Sequence, residues 1–326
     1  MDFQIKLSRR DALILALAAA PSAAAGADRY PSRTVTIVAP TATGGPADRY
    51  ARAIAGQLRR ALNQPVFVKD QEGASSTLGT NFVVHALPDG YTLLMVSDTQ
   101  TVTETLYVHK PYQLLRDLVV VAPLVQTDLV LVVNPSVKAN NLQEFLALAH
   151  NKPAILNYGS PGLGTLPHMA AELLKQITRI DIVHQPDDDA GMMRINLLRG
   201  DTQILIDTVP SLLPDIRSGL VRAIATSGEQ RSPVLPDVPA FAEAGVDFQA
   251  SQWVGFMAPK GTPQPAIDLL NQTIVDIVNQ PDLKRDWERQ GAIPMAMTRA
   301  EFTAFIQREI DKWATVIKTN HIELIN

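Results

Sequence analysis

The stretch Asn157-Tyr158-Gly159-Ser160-Pro161-Gly162-Leu163-Gly164-Thr165-Leu166-Pro167-His168 decides how this chain is read. A short β-prone run enters a loop with three glycines and two hydroxyls, and the loop opens into an apolar-periodic helix that reaches Glu172. Glycine lets the backbone approach a ligand closely, and a helix N-terminus presents N–H groups and a partial positive charge. This is a device for holding a small anion. The chain builds a similar one earlier: the apolar run 35–39 leads into Pro40-Thr41-Ala42-Thr43-Gly44-Gly45-Pro46, and a helix follows from about Ala47. Two such devices, more than a hundred residues apart, predict one ligand gripped from two sides.

Outward from these loops, strands and helices alternate. Apolar, β-rich runs lie at 35–39, 66–69, 92–96, 118–125, 130–133, 155–158, 180–183, 204–207, 223–226 and 254–258. Between them Tyr50, Ile54, Leu58 and Leu62 recur at helical spacing, as do Phe302, Phe305, Ile306, Ile310, Trp313 and Ile317. Asn141 with Glu144, and Thr298 with Glu301, are capping-box patterns. Thr262 followed by Pro263 predicts another helix start. The expected fold is α/β, with mostly parallel sheets flanked by helices on both faces. The stretches 126–133 and 249–258 are candidate joins between two lobes. They assign 28–130 plus 252–326 to lobe 1 and 131–251 to lobe 2.

The chain has 326 residues, is 46% hydrophobic and carries a net charge of −4, so it has material for full cores and no basic field for nucleic acid. It has no cysteine, which removes disulfides, thiolate metal sites and a Cys nucleophile. Lys6, Arg9 and Arg10 precede a short Ala/Leu/Ile run and small residues at 23–27. Residues 1–27 therefore read as an export signal, of ordinary secretory or twin-arginine type, directing the chain to the periplasm.

Further residues carry the reading to a family. Pro88-Asp89-Gly90-Tyr91-Thr92-Leu93, Val132-Val133-Asn134-Pro135-Ser136, Val183-His184, Leu235-Pro236-Asp237-Val238-Pro239 and Ala258-Pro259 before Gly261-Thr262-Pro263 occur in an order and spacing that are specific together. With the two glycine loops, they make the mature chain resemble the periplasmic solute-binding proteins of tripartite tricarboxylate transporters, the Bug/TctC family. The resemblance implies a two-lobed, type II periplasmic-binding-protein-like trap that closes on a small carboxylate. Such a trap delivers its ligand to membrane transporter subunits, acts without cofactor or catalysis, and is expected to be a monomer. It implies a grip by the two loops, so the expected ligand-binding residues are Thr41, Thr43, Gly44, Gly45, Ser160, Gly162, Gly164, Thr165, His168 and Asp207. Two departures fall at the grip. The family's aromatic and third glycine in the first loop are replaced, and its Tyr-Lys-Gly after Val183-His184 becomes Asp187-Asp188-Asp189.

Competing readings were weighed at each motif. Gly159, Gly164 and Thr165 match the spacing of a phosphate-binding loop, but the required lysine is missing. A nucleophile elbow needs glycine two before the serine, where Ser160 has Tyr158, and Pro161 follows it, which argues against a hydrolase. His168 and Glu172 stand at i and i+4, a spacing that suits metal or simple packing, and packing with capping is expected. Asp207 either caps the helix that follows it or meets the ligand. The acidic triplet is either a solvated turn or a screen against polyanions at the cleft mouth. A ligand sensor for a membrane receptor would need the same trap.

Overall fold

The computed structural model describes residues 30–326, so the export-signal expectation lies outside the described residues. The chain forms β1 (Val35–Ala39), α1 (Pro46–Leu62), β2 (Val66–Asp70), α2 (Thr77–Val84), β3 (Thr92–Ser97), α3 (Asp98–Leu106), α4 (Leu114–Asp117) and β4 (Leu118–Val133). It continues with α5 (Leu142–Asn151), β5 (Asn157–Ser160), α6 (Leu166–Thr178), β6 (Val183–Pro186), α7 (Ala190–Arg199), β7 (Ile204–Thr208), α8 (Val209–Arg217) and β8 (Arg222–Thr226). Then come β9 (Ser251–Pro259), α9 (Gln264–Val278), α10 (Pro281–Glu288), β10 (Ala292–Pro294) and α11 (Arg299–Thr319).

The strands run in the order β2-β1-β3-β9-β4-β7-β5-β6, with β8 and β10 also pairing β4. Parallel pairing holds for the outer strands, β2-β1-β3 and β7-β5-β6. It fails at the centre, where β9 runs antiparallel to β3 and β4, and β4 runs antiparallel to β7 and β8. The cause is connectivity. Strands joined by a helix return parallel, whereas β4 and β9 carry the chain from one half of the sheet to the other.

The two runs expected at 118–125 and 130–133 are one sixteen-residue strand. Residues 118–128 pair with β9, and residues 129–133 pair with β7 and β8. Gln126, Thr127 and Asp128, between the two runs, stay in the ladder, opposite Trp253, Gln252 and Ser251. Pro123 is accommodated where the register shifts, the tolerated place for proline in a strand. A second clasp lies at the same crossover: Ser227 Oγ accepts Leu129 N–H at 2.8 Å and donates to Ala250 O at 2.5 Å.

Helices cover both faces of each half. Ile54 and Leu58 of α1 pack with Ile37 and Phe256 on one face of the first half. Trp253, 5.5 Å edge-on from Phe302, fills the other face and is core rather than cleft wall. In the second half, Phe145, Tyr158 and Leu174 form one face and Val132, Met193 and Leu205 the other. Two helices belong to both halves. The start of α11 packs Phe302 and Ile306 against Trp253, while Trp313, Val316 and Ile317 join Val102 and Leu106 of α3 in the core around Phe145.

The Thr298–Glu301 capping box forms in full. At α5, Asn141 caps Glu144 N–H, while Glu144 reaches back to Asn140 instead. The helix start expected at Thr262-Pro263 shifts by one residue, because Thr262 Oγ1 donates to Pro259 O and α9 begins at Gln264.

Candidate functional site

In both halves the parallel strands end at loops, and strand C-termini are where open α/β sheets hold ligands. The loop between β1 and α1 is built around charge. Gly44 sits at φ +84°, and its N–H donates to Asp48 Oδ2 at 2.8 Å. Arg52 reaches Asp48 at 2.5 Å and Asp70 at 2.6 Å, and Thr43 Oγ1 donates to Asp70 at 2.7 Å. Burial pushes the Asp48 carboxyl up, but the Gly44 amide, Asp70 and the Arg52 guanidinium outweigh it, and the net shift is downward. Thr43 is thus engaged within the protein. The Thr41 hydroxyl is buried without a partner, and Gly45 is tight: a Cβ there would lie 2.9 Å from Ala42 O and 3.0 Å from Thr41 Oγ1.

The loop between β5 and α6 is built around neutral, buried groups. Ser160 is fully buried; its hydroxyl lies 2.7 Å from His184 Nε2 and 3.1 Å from both N and O of Gly162. Thr165 Oγ1 donates to the same Gly162 carbonyl at 2.7 Å, and Gly164 N–H donates to His168 Nδ1 at 3.3 Å. Gly162 and Gly164 both have positive φ. The space around Gly162 is open, whereas a Cβ on Gly164 would lie 2.2 Å from Leu106 Cδ2. Gly164 is therefore where the loop packs against the end of α3. The next residue of that segment, Tyr107, donates its hydroxyl to Ser75 Oγ at 3.0 Å. The loop after β5 and the loop after β2 thus meet the chain at adjacent positions, 106 and 107.

Ser75 belongs to a segment that sequence reasoning missed. Ala74, Ser75 and Ser76 all have φ between +46° and +71°, in the loop after β2 and beside the first ligand loop. Three consecutive left-handed residues without glycine are costly, and such strain concentrates at functional sites. Gly73 before them was the only local signal.

His168 is a packed, loop-capping residue. Burial, then the neighbouring His184, pushes its imidazole down to about 4. Glu172, its i+4 neighbour, is taken by the Tyr158 hydroxyl at 2.6 Å, Lys175 at 2.7 Å and Asn320 at 2.9 Å. Among the described residues no three His, Asp or Glu side chains come together to hold a metal. Asp207 lies next to last in β7, partly exposed, and accepts Thr208 N–H at 2.7 Å. Burial raises its carboxyl, while Thr208, Ser211 and, from α1 in the other half, Arg49 pull the other way.

The acidic triplet divides by role. Asp187 donates its N–H to Ser160 O at 2.8 Å and accepts Asn196 Nδ2 at 2.5 Å, leaving Oδ2 buried without a partner. Asp189 caps α7 through Met192 N–H at 2.9 Å, and Asp188 is exposed. Two cavities of about 670 and 730 Å³ lie elsewhere, one lined by Val275, Met295 and Glu301, the other at the strand crossover by Asp128, Ser227 and Glu309.

A crossed-over α/β sheet with a glycine loop after a parallel strand in each half has the build of the periplasmic-binding-protein-like class of solute-binding proteins. Residues 50–322 match the family described as "Tripartite tricarboxylate transporter family receptor" (TctC), and the chain belongs to that family. It is 35% identical over 306 residues to Protein BugT of Bordetella pertussis, covering 93% of this chain and 94% of that one. Among solved structures it is similar to R. palustris Rpa4515 with adipate, at 27% identity and a TM-score of 0.81, covering 91% of this chain and all of that one. It is also similar to MatC from Rhodopseudomonas palustris with bound malate, at 30% identity and a TM-score of 0.76, covering 88% of this chain and all of that one. Proteins of this family are periplasmic receptors for tripartite transporters rather than enzymes. No helix among the described residues is long and apolar enough to cross a membrane.

Proposed function

We propose that this chain binds a small carboxylate, or a related amide or aromatic acid, between its two loops and passes it to the membrane subunits of a tripartite transporter. Lobe 1 is 28–130 plus 252–326 and lobe 2 is 131–251. The crossing strands β4 and β9 form the hinge, and α3 and α11 are packed into both cores. Residues 1–27 are the export signal that places the mature chain in the periplasm. The observation that supports the reading is a glycine loop after a parallel strand in each half, with Arg49 beside the first loop pulling on the Asp207 carboxyl of the second half. The hydroxyls of Thr43, Ser160 and Thr165 and the N–H groups of Gly44, Gly162 and Gly164 are all bonded within the protein, so a carboxylate is gripped by displacing some of these bonds.

Calorimetry with malate and adipate, preceded by a thermal-shift panel of small acids, tests it. A ligand at a hundred times its Kd stabilises the folded chain by about 2.7 kcal/mol. Gly162→Val and Gly44→Val should each weaken binding at least about tenfold, a loss of roughly 1.4 kcal/mol. Wild-type affinity in both variants, or no shift with any acid, would sink the two-loop grip.

A further inference from the structure

We propose that His184 is the positioning residue of the glycine loop and acts through Ser160. The two residues come from neighbouring parallel strands, with Tyr158 paired to His184 in the register. The His184 ring is stacked on Tyr158, centroids 4.9 Å apart, with the His168 ring 4.5 Å away. Its Nε2 makes the shortest contact of the Ser160 hydroxyl, at 2.7 Å. The other two contacts run to N and O of Gly162.

A serine hydroxyl has one hydrogen to donate and two lone pairs to accept with. Thr165 Oγ1 already donates to Gly162 O, so that carbonyl is satisfied with either tautomer of the ring. With the hydrogen on Nε2, the ring and Gly162 N–H donate to Oγ, and Oγ donates to Gly162 O. With Nε2 bare, Oγ donates to the ring and still accepts Gly162 N–H. In both cases the one hydroxyl hydrogen is used inside the loop, and none is left for a carboxylate. Ser160 is part of the loop's frame, and His184 sets that frame.

Gly162 shows what is framed. Its φ of +119° is closed to ordinary L side chains, and the position where a Cβ would stand is open space. Behind it, Ser160 and Thr165 fix its carbonyl and Ser160 fixes its amide. The charged and titratable groups around the ring are His168, Glu172 and Lys175 of α6, Tyr158 of β5, and Asp187 just after β6. Burial holds the ring below its ordinary pKa against the pull of Glu172 and Asp187, so it is neutral at pH 7.

The inference rests on the reading that the glycine loop carries the ligand, and one experiment separates the two. Amide hydrogen exchange at Gly162, Gly164 and Thr165 is measured by NMR on the ligand-free mature chain, with nitrogen shifts of the His184 ring. His184→Leu and Ser160→Ala should speed exchange at Gly162 about tenfold, the effect of losing roughly one hydrogen bond. His184→Gln, whose amide N–H can donate to Ser160, should stay near wild type. The ring shifts should report a neutral imidazole. If His184→Leu does not fold, Ser160→Ala and His184→Gln carry the comparison. Unchanged exchange at Gly162 in Ser160→Ala, or in a folded His184→Leu, overturns the proposal. Titration with malate and adipate then reads the consequence: weaker binding in Ser160→Ala and His184→Leu, rescued by His184→Gln. If neither acid binds wild type, the carboxylate reading fails, while the exchange data still decide the role of His184.

Discussion

The loop after β1 and the loop after β5 do the same geometric work with different physics. Both follow a parallel strand, place glycine at positive φ and open into a helix with proline in its first turn. The first is tied by an ionic network at the surface, with Arg52 half-exposed between Asp48 and Asp70. The second is tied by neutral hydrogen bonds among Ser160, His184, His168 and Thr165, all at least partly buried. An ionic loop should feel salt and tolerate added volume. A buried neutral loop should feel acid and volume and ignore salt.

Volume gives the largest expected contrast. Gly44 and Gly164 have nearly the same backbone, φ +84° and +74°. Nothing lies within 4 Å of a Cβ on Gly44, whereas one on Gly164 would be 2.2 Å from Leu106 Cδ2. Leu106 is fully buried in the core around Phe145, so it cannot swing away cheaply. Gly44→Ala should cost only the left-handed penalty, about 1–2 kcal/mol. Gly164→Ala should add overpacking of about 1–3 kcal/mol, for a total of about 2–5 kcal/mol. Urea denaturation of the two variants measures the difference; equal losses would break the contrast.

Acid gives the next. The His168 imidazole, nearly fully buried, is pushed down to about 4 from an ordinary 6.5. Between those values the unfolded chain binds more protons than the folded one, so stability falls as pH drops from about 6.5 to about 4. A shift of this size corresponds to roughly 3 kcal/mol or slightly more. In the first loop Asp48 is shifted downward, so its contribution is present above its unfolded pKa and is lost only as pH falls below about 4. Buried Asp98, raised to about 7 by burial, works in the opposite sense and gains stability in acid. The clean measurement is therefore a difference. Stability of His168→Gln minus wild type, followed from pH 7 to 4, should rise as pH falls. A flat difference would remove His168 as the cause.

Salt separates the loops in the other direction. Arg52→Gln should cost about 0.5–1 kcal/mol at low ionic strength, and less as salt shortens the screening length to about 8 Å. Ser160→Ala should cost the same at every salt concentration. A salt-independent Arg52 effect would mean that packing of its stem, rather than charge, holds the first loop.

How far this contrast was legible in the sequence follows from its causes. Glycines, hydroxyls and the helix starts beside them are local, so both loops stood out. The pairing of Ser160 with His184 depends on β5 and β6 lying side by side, and the tightness of Gly164 on α3 folding back from the first half. Neither has a local signal. The same holds for β4, read as two apolar runs, where β9 supplied the partner strand that keeps it whole. Thr41 and Gly45 follow β1, and Asp207 lies next to last in β7. The left-handed run at 74–76 was missed because nothing in Ala-Ser-Ser announces positive φ.

The smallest expected effect concerns ligand charge, and the acidic triplet allows it to be isolated. Asp187→Asn keeps an amide oxygen for Asn196, Asp188 is free in solvent, and Asn is as good an N-cap as Asp for α7. Replacing all three with Asn therefore deletes charge with little change in structure, and stability should stay within about 0.5 kcal/mol of wild type. If the triplet faces the bound ligand across roughly 8–10 Å, each unit of charge is worth a few tenths of a kcal/mol at low ionic strength. Affinity for a dicarboxylate such as malate or adipate should then rise more than affinity for a monocarboxylate such as propionate, by roughly twofold per charge removed, and the gap should close with salt. Asp187 hydrogen-bonds Ser160 through its own backbone, which places the triplet beside the buried loop rather than the ionic one. The second loop would then hold its shape by neutral bonds and still choose its ligand by charge. Equal gains for mono- and dicarboxylates would confine charge effects to the loop after β1 and make the contrast between the two loops complete.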